Sequence, residues 1–473
     1  MDRYKDSLRF LFSAIFFAIL FAIIVVPSLS GNDNQRIAQW VIGVISFFAN
    51  IYHFRSKWCE SRYLTRSTMV LSLVFVMGVA SSFRANQYLW ALAEVATAVL
   101  CTNAVFMFAS ERRSYGVIWD RLLLLFVIVL CAVKALQYTS SVLAAFLGGS
   151  GRLDMTLLLE GFSNRRFYGQ FQTFTLPLIG VLLIQNSIRK STTCWVFFML
   201  VIWWLIAISG GTRGTWLGLF TAAAVMLFSS RAGQRWALWQ AGAAAVAALL
   251  YWGVFTKLTG YLHVDVINSV GDRLTTTLSA RDILWQQAWE MIKARPWLGY
   301  GPMGFADIPN PIAAHPHQAI LQWASEWGVP SALLVCGLAA KGLYSTFTLI
   351  RAKAGSDEPV DVLRIGLFAS LVAALAQSMV DGIIVMPYSQ LWLCLIVGWL
   401  IAIHPQREPQ TASSPTATWA WLATALCAVL FLGYVVVRDV PHLEENEQQY
   451  MHDFGGHFQP RFWLQGVIAA KPQ

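Results

Sequence analysis

Apolar runs of about 20 residues, the length that crosses a bilayer as a helix, recur along most of this chain. They cover approximately 8–29, 38–54, 67–83, 88–109, 118–137, 167–186, 193–209, 214–229, 236–256, 328–350, 362–381, 388–404 and 417–437. This pattern predicts an all-α polytopic membrane protein of about 12 (11–13) transmembrane helices. Two polar intervals break the series, 138–166 and 257–327, and the second spans roughly 70 residues, too long for a plain connection. The segments are therefore helices over 1–256, a large loop over 257–327, helices over 328–437 and a tail over 438–473, with 404–416 as a linker.

Charge placement orients the series. With the N-terminus inside, the inner loops hold Arg55, Lys57, Arg62, Arg66, Arg112, Arg113, Arg189, Lys190, Arg231, Arg235, Arg351, Lys353 and Arg407. The short outer loops hold only Arg36, Arg84 and Arg213. Cytoplasmic loops are the basic ones, so both long intervals face outward. Composition agrees, since 57% of the 473 residues are hydrophobic and 12% charged. The net charge of +9 is accounted for by basic inner loops and contact with anionic lipid, not by nucleic acid. Six of the seven cysteines sit in apolar runs and Cys59 lies in a loop, which supports neither a disulfide framework nor a cysteine metal site. The first run lacks a small-residue cleavage site and reads as a span. Most of the 21 tryptophans read as interface anchors.

The chemistry-bearing residues gather on the outward side. Ser279 to Arg295 reads as a helix capped by Ser279, with an apolar face of Leu284, Trp285, Ala288, Trp289 and Ile292, ended by Pro296. Arg281 lies in its first turn. Gly299, Gly301 and Gly304 form a loop able to bring backbone N–H groups to an anion. His315-Pro-His317-Gln318 then opens a second helix, about Gln318 to Trp327. The positive end of a helix disfavours a protonated imidazole, and a neutral one can take a proton from a hydroxyl. A chelating His-x-His pair and a purely structural pair are the competing readings, the first without further ligands nearby. Ser209-Gly-Gly-Thr-Arg213-Gly is a glycine turn feeding a helix, suited to an anion. Arg165 and Arg166 are two outward arginines at the start of a span, against the usual bias, and bind either headgroups or a specific anion. Asp381 closes a span at its outer end, where a carboxylate usually has a partner. No outward Asp-x-Asp is present to hold a divalent metal against a diphosphate, so arginines would have to neutralise one.

These motifs, in this order and on this side, resemble the O-antigen ligase family, which is related to O-antigen polymerases and O-linked oligosaccharyltransferases. The residues that carry the resemblance are Ser-Gly-Gly-Thr-Arg213-Gly, Ser-Ala-Arg281, Arg295-Pro-Trp-Leu-Gly299-Tyr-Gly301-Pro, His315-Pro-His317-Gln318 and Glu326-Trp-Gly328. The family usually has His-Asn where this chain has His317-Gln318; glutamine keeps the amide. The resemblance implies a membrane fold of the lipid-donor (GT-C-like) glycosyltransferase type in the bacterial inner membrane. It implies transfer of an undecaprenyl-diphosphate-linked glycan to the lipid A-core oligosaccharide, in the periplasm, with inversion and with no metal or cofactor. His317 matches the family histidine, Arg213 and Arg281 match arginines that grip the diphosphate, and Arg166 and Asp381 are further matches; His315 and Gln318 would support them. The alternatives are an O-antigen polymerase sharing the same loop motifs, a transporter or flippase of a lipid-linked anion, and a non-catalytic scaffold. A transporter would carry charges deep in several spans or repeated halves. No repeat is visible, Lys134 and Arg364 read as lying near span ends, and Glu94 and Lys341 sit deeper.

Overall fold

In the computed structural model, residues 2–56, 66–148, 151–185, 189–271, 280–308, 312–405, 415–455, 458–466 and 468 are described. Cys59, Ser279, Lys57, Arg62, Arg407 and most of the 404–416 linker lie outside them. Nearly every predicted run is a helix: α1 (Asp2–Val25), α2 (Asn32–Ser56), α3 (Arg66–Ser82), α4 (Tyr88–Tyr115), α5 (Val117–Leu147), α6 (Arg165–Val181), α7 (Lys190–Ser209), α8 (Arg213–Leu227) and α9 (Arg231–Trp252). A π turn carries α9 into a last short turn, α10 (Thr259–Tyr261). The interval that follows holds α11 (Arg281–Ala294) and α12 (Ala319–Trp327). Then come α13 (Val329–Ala352), α14 (Pro359–Gln377), α15 (Pro387–Ile403), α16 (Pro415–Asp439) and α17 (Leu443–Phe454). Eight of the described helices are long and apolar enough to cross a membrane, and four shorter apolar ones accompany them.

Helix ends correct the hydropathy reading in two places. Helix α5 continues to Leu147, ten residues beyond the expected end at 137, and the α9 rod continues to Tyr261. Lys134 is therefore not near a helix end. It is buried in α5, and its ammonium donates to the carbonyls of Ile24 (3.1 Å) and Glu160 (2.7 Å). The tryptophans are a third correction. Trp119, Trp203, Trp236, Trp392, Trp399 and Trp463 are fully buried, whereas Trp195, Trp252, Trp289, Trp297 and Trp419 are exposed. An indole N–H can be buried when an acceptor meets it: Trp203 donates to Thr175 and Trp399 to Asp120.

Helix α6 is the inner pillar. Every residue from Tyr168 to Val181 is buried, although Gln170, Gln172, Thr173 and Thr175 are polar. An unpaired polar group away from water costs several kcal/mol, and most polar atoms of these residues find partners; Gln170 Nε2 has none among the described residues. Thr173 and Thr175 donate to the preceding turn's carbonyls, Gln172 to the Trp203 carbonyl, and Gln170 accepts from Ser389. Pro177 has no N–H to give the Thr173 carbonyl, and beside this break the Leu176 and Pro177 carbonyls accept from Gln240 and Trp236 of α9. Helix α14 packs on both α6 and α8. This antiparallel arrangement brings the first turns of α6 and α8 to the same end of the bundle as the last turn of α14. At that end a short parallel ladder, β1 (Arg152–Asp154) with β2 (Asp265–Ile267), ties the two long polar intervals together.

The tail is part of the core. Arg461 is 1% exposed and donates to the Glu326 carboxylate of α12 at 2.7 Å, with Glu94 of α4 at 3.6 Å. Arg36 holds the strand-like tail in place by donating to the carbonyls of Arg461 (3.0 Å) and Phe462 (3.1 Å). Removing one member of a buried ion pair leaves an uncompensated charge, at a cost of about 3–5 kcal/mol. Arg461→Met should therefore lower the thermal unfolding midpoint of the purified protein sharply. Adding Glu326→Gln should recover part of the loss; a single variant as stable as wild type would contradict the pairing.

Candidate functional site

Three arginines and a carboxylate meet at the α6/α8/α14 end. Asn164 caps α6 by accepting the Arg166 N–H at 2.9 Å, which fixes Arg166 in the first turn. Gly211, at φ +59, makes the turn from α7 that lets Arg213 begin α8. Gly214, one residue on, packs against Gln377 of α14. Asp381 follows α14, 4% exposed; its carboxylate accepts from Gln377 Nε2 at 3.0 Å and the Gly382 N–H at 2.8 Å. Gln377 is itself completely buried, accepting from Thr173 and donating to Thr215 at 3.3 Å. A polar chain thus runs from α6 and α8 up to Asp381.

Arg281 is the first residue of α11, after Ala280 in a left-handed conformation that makes no side-chain cap bond. The expected cap, Ser279, is outside the described residues. Burial is the main influence lowering the proton affinity of Arg281; Arg166 and Arg213 lower it further, and Asp381 opposes them. Arg166, Arg213, Arg281 and Asp381 therefore share one electrostatic field.

The histidine loop closes over this cluster. Glu326 is its anchor: its carboxylate accepts the Phe305 N–H at 3.2 Å and its backbone carbonyl accepts the Gly301 N–H at 3.0 Å. Gly299, at φ +68, lies so close that a Cβ would come within 2.5 Å of the Glu326 carbonyl oxygen, so this crossing needs glycine. The loop then reaches His315, which is buried, and His317, which keeps a partly exposed edge. Their rings meet edge to face at 4.1 Å, and the His317 N–H donates to His315 Nδ1 at 3.3 Å. Nδ1 of His317 is enclosed without a hydrogen-bond partner among the described residues. Burial pushes the His317 pKa down to about 3, with Arg166 and Arg281 adding to the effect. His315 is held well below its ordinary value by burial, then by His317, Arg461 and Arg166. Both imidazoles are neutral at physiological pH. Among the described residues no group of three or more His, Cys, Asp or Glu side chains is placed to hold a metal ion.

Such a site can hold a multiply charged anion between guanidinium groups, with a neutral imidazole beside it. Residues 194–336 match the family model described as O-antigen ligase. The chain carries an O-antigen ligase family domain. The matched stretch contains Arg213, Arg281, His315, His317 and Gln318, while Arg166 and Asp381 lie outside it. No curated protein matches the chain.

The expected residues converge, with one change of role. Gln318 serves its own helix: its Oε1 accepts the Leu321 N–H and caps α12, and its Nε2 faces Met379 Sδ at 3.9 Å. Four neighbours had no site role in the sequence: Arg461 and Gln377 were not singled out, Glu326 stood only within a motif, and Trp285 only on the apolar face of its helix. Glu326 carried a signal, a carboxylate in an otherwise apolar short helix, whereas Arg461 lies 135 residues away from it and had none.

The histidines give the protein a signed acid response. Each binds a proton more weakly when folded than when unfolded, where the pKa is 6.5. Their contribution to stability is complete above that value and is lost as pH falls from 6.5 toward about 3, the window set by His317. His317→Gln should flatten the fall of the unfolding midpoint between neutral and acid pH; an equally steep fall in the variant contradicts a depressed His317.

Proposed function

We propose that this protein is a membrane glycosyltransferase that ligates an undecaprenyl-diphosphate-linked glycan to the lipid A-core oligosaccharide on the periplasmic side of the inner membrane. The observation that carries the reading is the convergence of Arg166, Arg213 and Arg281 beside a neutral His317, within a domain of the O-antigen ligase family. The outward sidedness rests on the basic inner loops and on the ladder that joins the two long intervals.

In this reading an acceptor hydroxyl oxygen attacks the anomeric carbon of the donor sugar from the face opposite the diphosphate. The new carbon–oxygen bond forms as the bond to the diphosphate breaks, which inverts the anomeric configuration. The hydroxyl proton passes to His317, and undecaprenyl diphosphate leaves with its added negative charge held by the arginines. The same arginines that help depress the His317 pKa lose that influence once a diphosphate offsets their charge, so donor binding raises the basicity of His317. Asp381, held by Gln377 and Gly382, orients the cationic side of the site. The charges a transporter would need inside its spans are accounted for differently: Glu94 lies beside Arg461, Lys341 donates to Ser67 at 3.1 Å, and Lys134 is held by the Ile24 and Glu160 carbonyls.

Purified protein given lipid-linked glycan and core-bearing lipid A tests the assignment. His317→Ala should lower kcat by about 10²–10⁴, the usual worth of a positioned general base. Arg281→Gln and Arg213→Gln should each cost about 10²-fold or more, as lost transition-state charge stabilisation does. A chelator should change nothing. Full activity in His317→Ala would remove the base, and chain growth on lipid-linked repeats without transfer to core lipid would make the protein a polymerase.

A further inference from the structure

The peptide unit between Pro316 and His317 is held at both ends. Its carbonyl accepts from the indole Nε1 of Trp285 at 3.1 Å. Its N–H donates to Nδ1 of His315 at 3.3 Å. A peptide unit is planar, so two such bonds fix its rotation as well as its place. The residue it delivers, His317, sits at φ +54, a region that non-glycine residues adopt at a cost. On its other side the loop is pinned again: the Ala319 N–H donates to the Ser378 carbonyl at 2.9 Å, and Gln318 caps α12. The His315 ring, the acceptor in this clamp, lies against Gly382, where a Cβ would come within 2.7 Å of its Cε1. Its neighbour Asp381 is part of the arginine field.

Trp285 has a second connection. It lies on α11 one helical turn after Arg281, and residues four apart project from the same face. The helix that brings an arginine to the cluster therefore also grips the backbone of the histidine. We propose that Trp285 is a positioning residue: its indole N–H, with His315 Nδ1 opposite, sets the direction of the His317 imidazole and registers it against Arg281. This role rests on the glycosyl-transfer reading of the same site. Trp285 touches no reacting atom. It acts by holding His317 in a backbone conformation the chain would otherwise leave. The clamp also requires a His315 whose Nδ1 carries no proton, in keeping with its buried, neutral state.

Trp285→Phe keeps an aromatic ring while removing the donor and part of the indole. Trp289→Phe, an exposed position on the same helix, is the control. Two measurements are made on the full-length protein in detergent. One is carbethoxylation of His317 by diethyl pyrocarbonate, followed on the His317 peptide by mass spectrometry; the other is kcat and donor KM for transfer, per mole of monodisperse protein. Trp285→Phe should speed carbethoxylation several-fold and lower kcat about tenfold, the worth of one net hydrogen bond, with donor KM unchanged. Trp289→Phe should leave both at wild type. An unchanged carbethoxylation rate overturns the clamp. Faster carbethoxylation with unchanged kcat overturns its role in the reaction, and a raised KM alone makes Trp285 a substrate contact instead. Faster carbethoxylation in a protein whose wild type transfers no sugar keeps the clamp and removes the glycosyl-transfer reading.

Discussion

Three guanidinium groups in one field repel one another, and the rest of that end of the helix bundle is built to hold them there. Arg281 feels both Arg166 and Arg213. Left on flexible loops such groups would separate. Here each sits in the first turn of a helix, and two of those helices pack on α14, which Asp381 follows. Gln377, bonded to Thr173, Thr215 and Asp381, couples α6, α8 and α14 inside the bundle, where unpaired groups would be expensive. The repulsion is thus offset by packing and buried hydrogen bonds at a distance from it. What remains at the surface is a fixed cationic site whose natural partner is an anion of high charge.

The histidine loop answers a different demand. In the proposed reaction the base must be neutral and correctly aimed at the same time. Neutrality follows from burial and from the arginine field, and direction follows from backbone constraints on either side of His317. Those constraints are stacked in depth. Glu326 holds the glycine loop through Phe305 and Gly301, Arg461 holds Glu326, and Arg36 holds the tail that carries Arg461. A C-terminal segment far from the site in sequence is in this way part of its foundation.

Much of this was legible in the chain. The apolar periods located nearly all the helices, because the length of a membrane-crossing helix leaves a direct mark on hydropathy. Arg213 and Arg281 stood out because glycine turns and helix starts surround them, and His317 because it opens a helix in a polar interval. The failures have physical causes. Hydropathy reports where apolar runs stop, not where helices do, so the polar end of α5 was lost. Lys134 looked like an end residue because nothing local marks the distant carbonyls of Ile24 and Glu160 that receive it. Gln318 looked like a site amide, but an amide at a helix start also serves the helix, and here it does. Arg461, Gln377 and Trp285 act through contacts between segments remote in sequence, which no local pattern encodes.

The central claim is that the three arginines form one diphosphate site beside His317. Its most direct test is a structure of the full-length protein with a polyprenyl diphosphate bound. The account predicts both phosphates between Arg166, Arg213 and Arg281, with the His317 ring facing the carbon–oxygen bond to be broken. A diphosphate bound elsewhere, or bound with His317 turned away behind the loop, would contradict it.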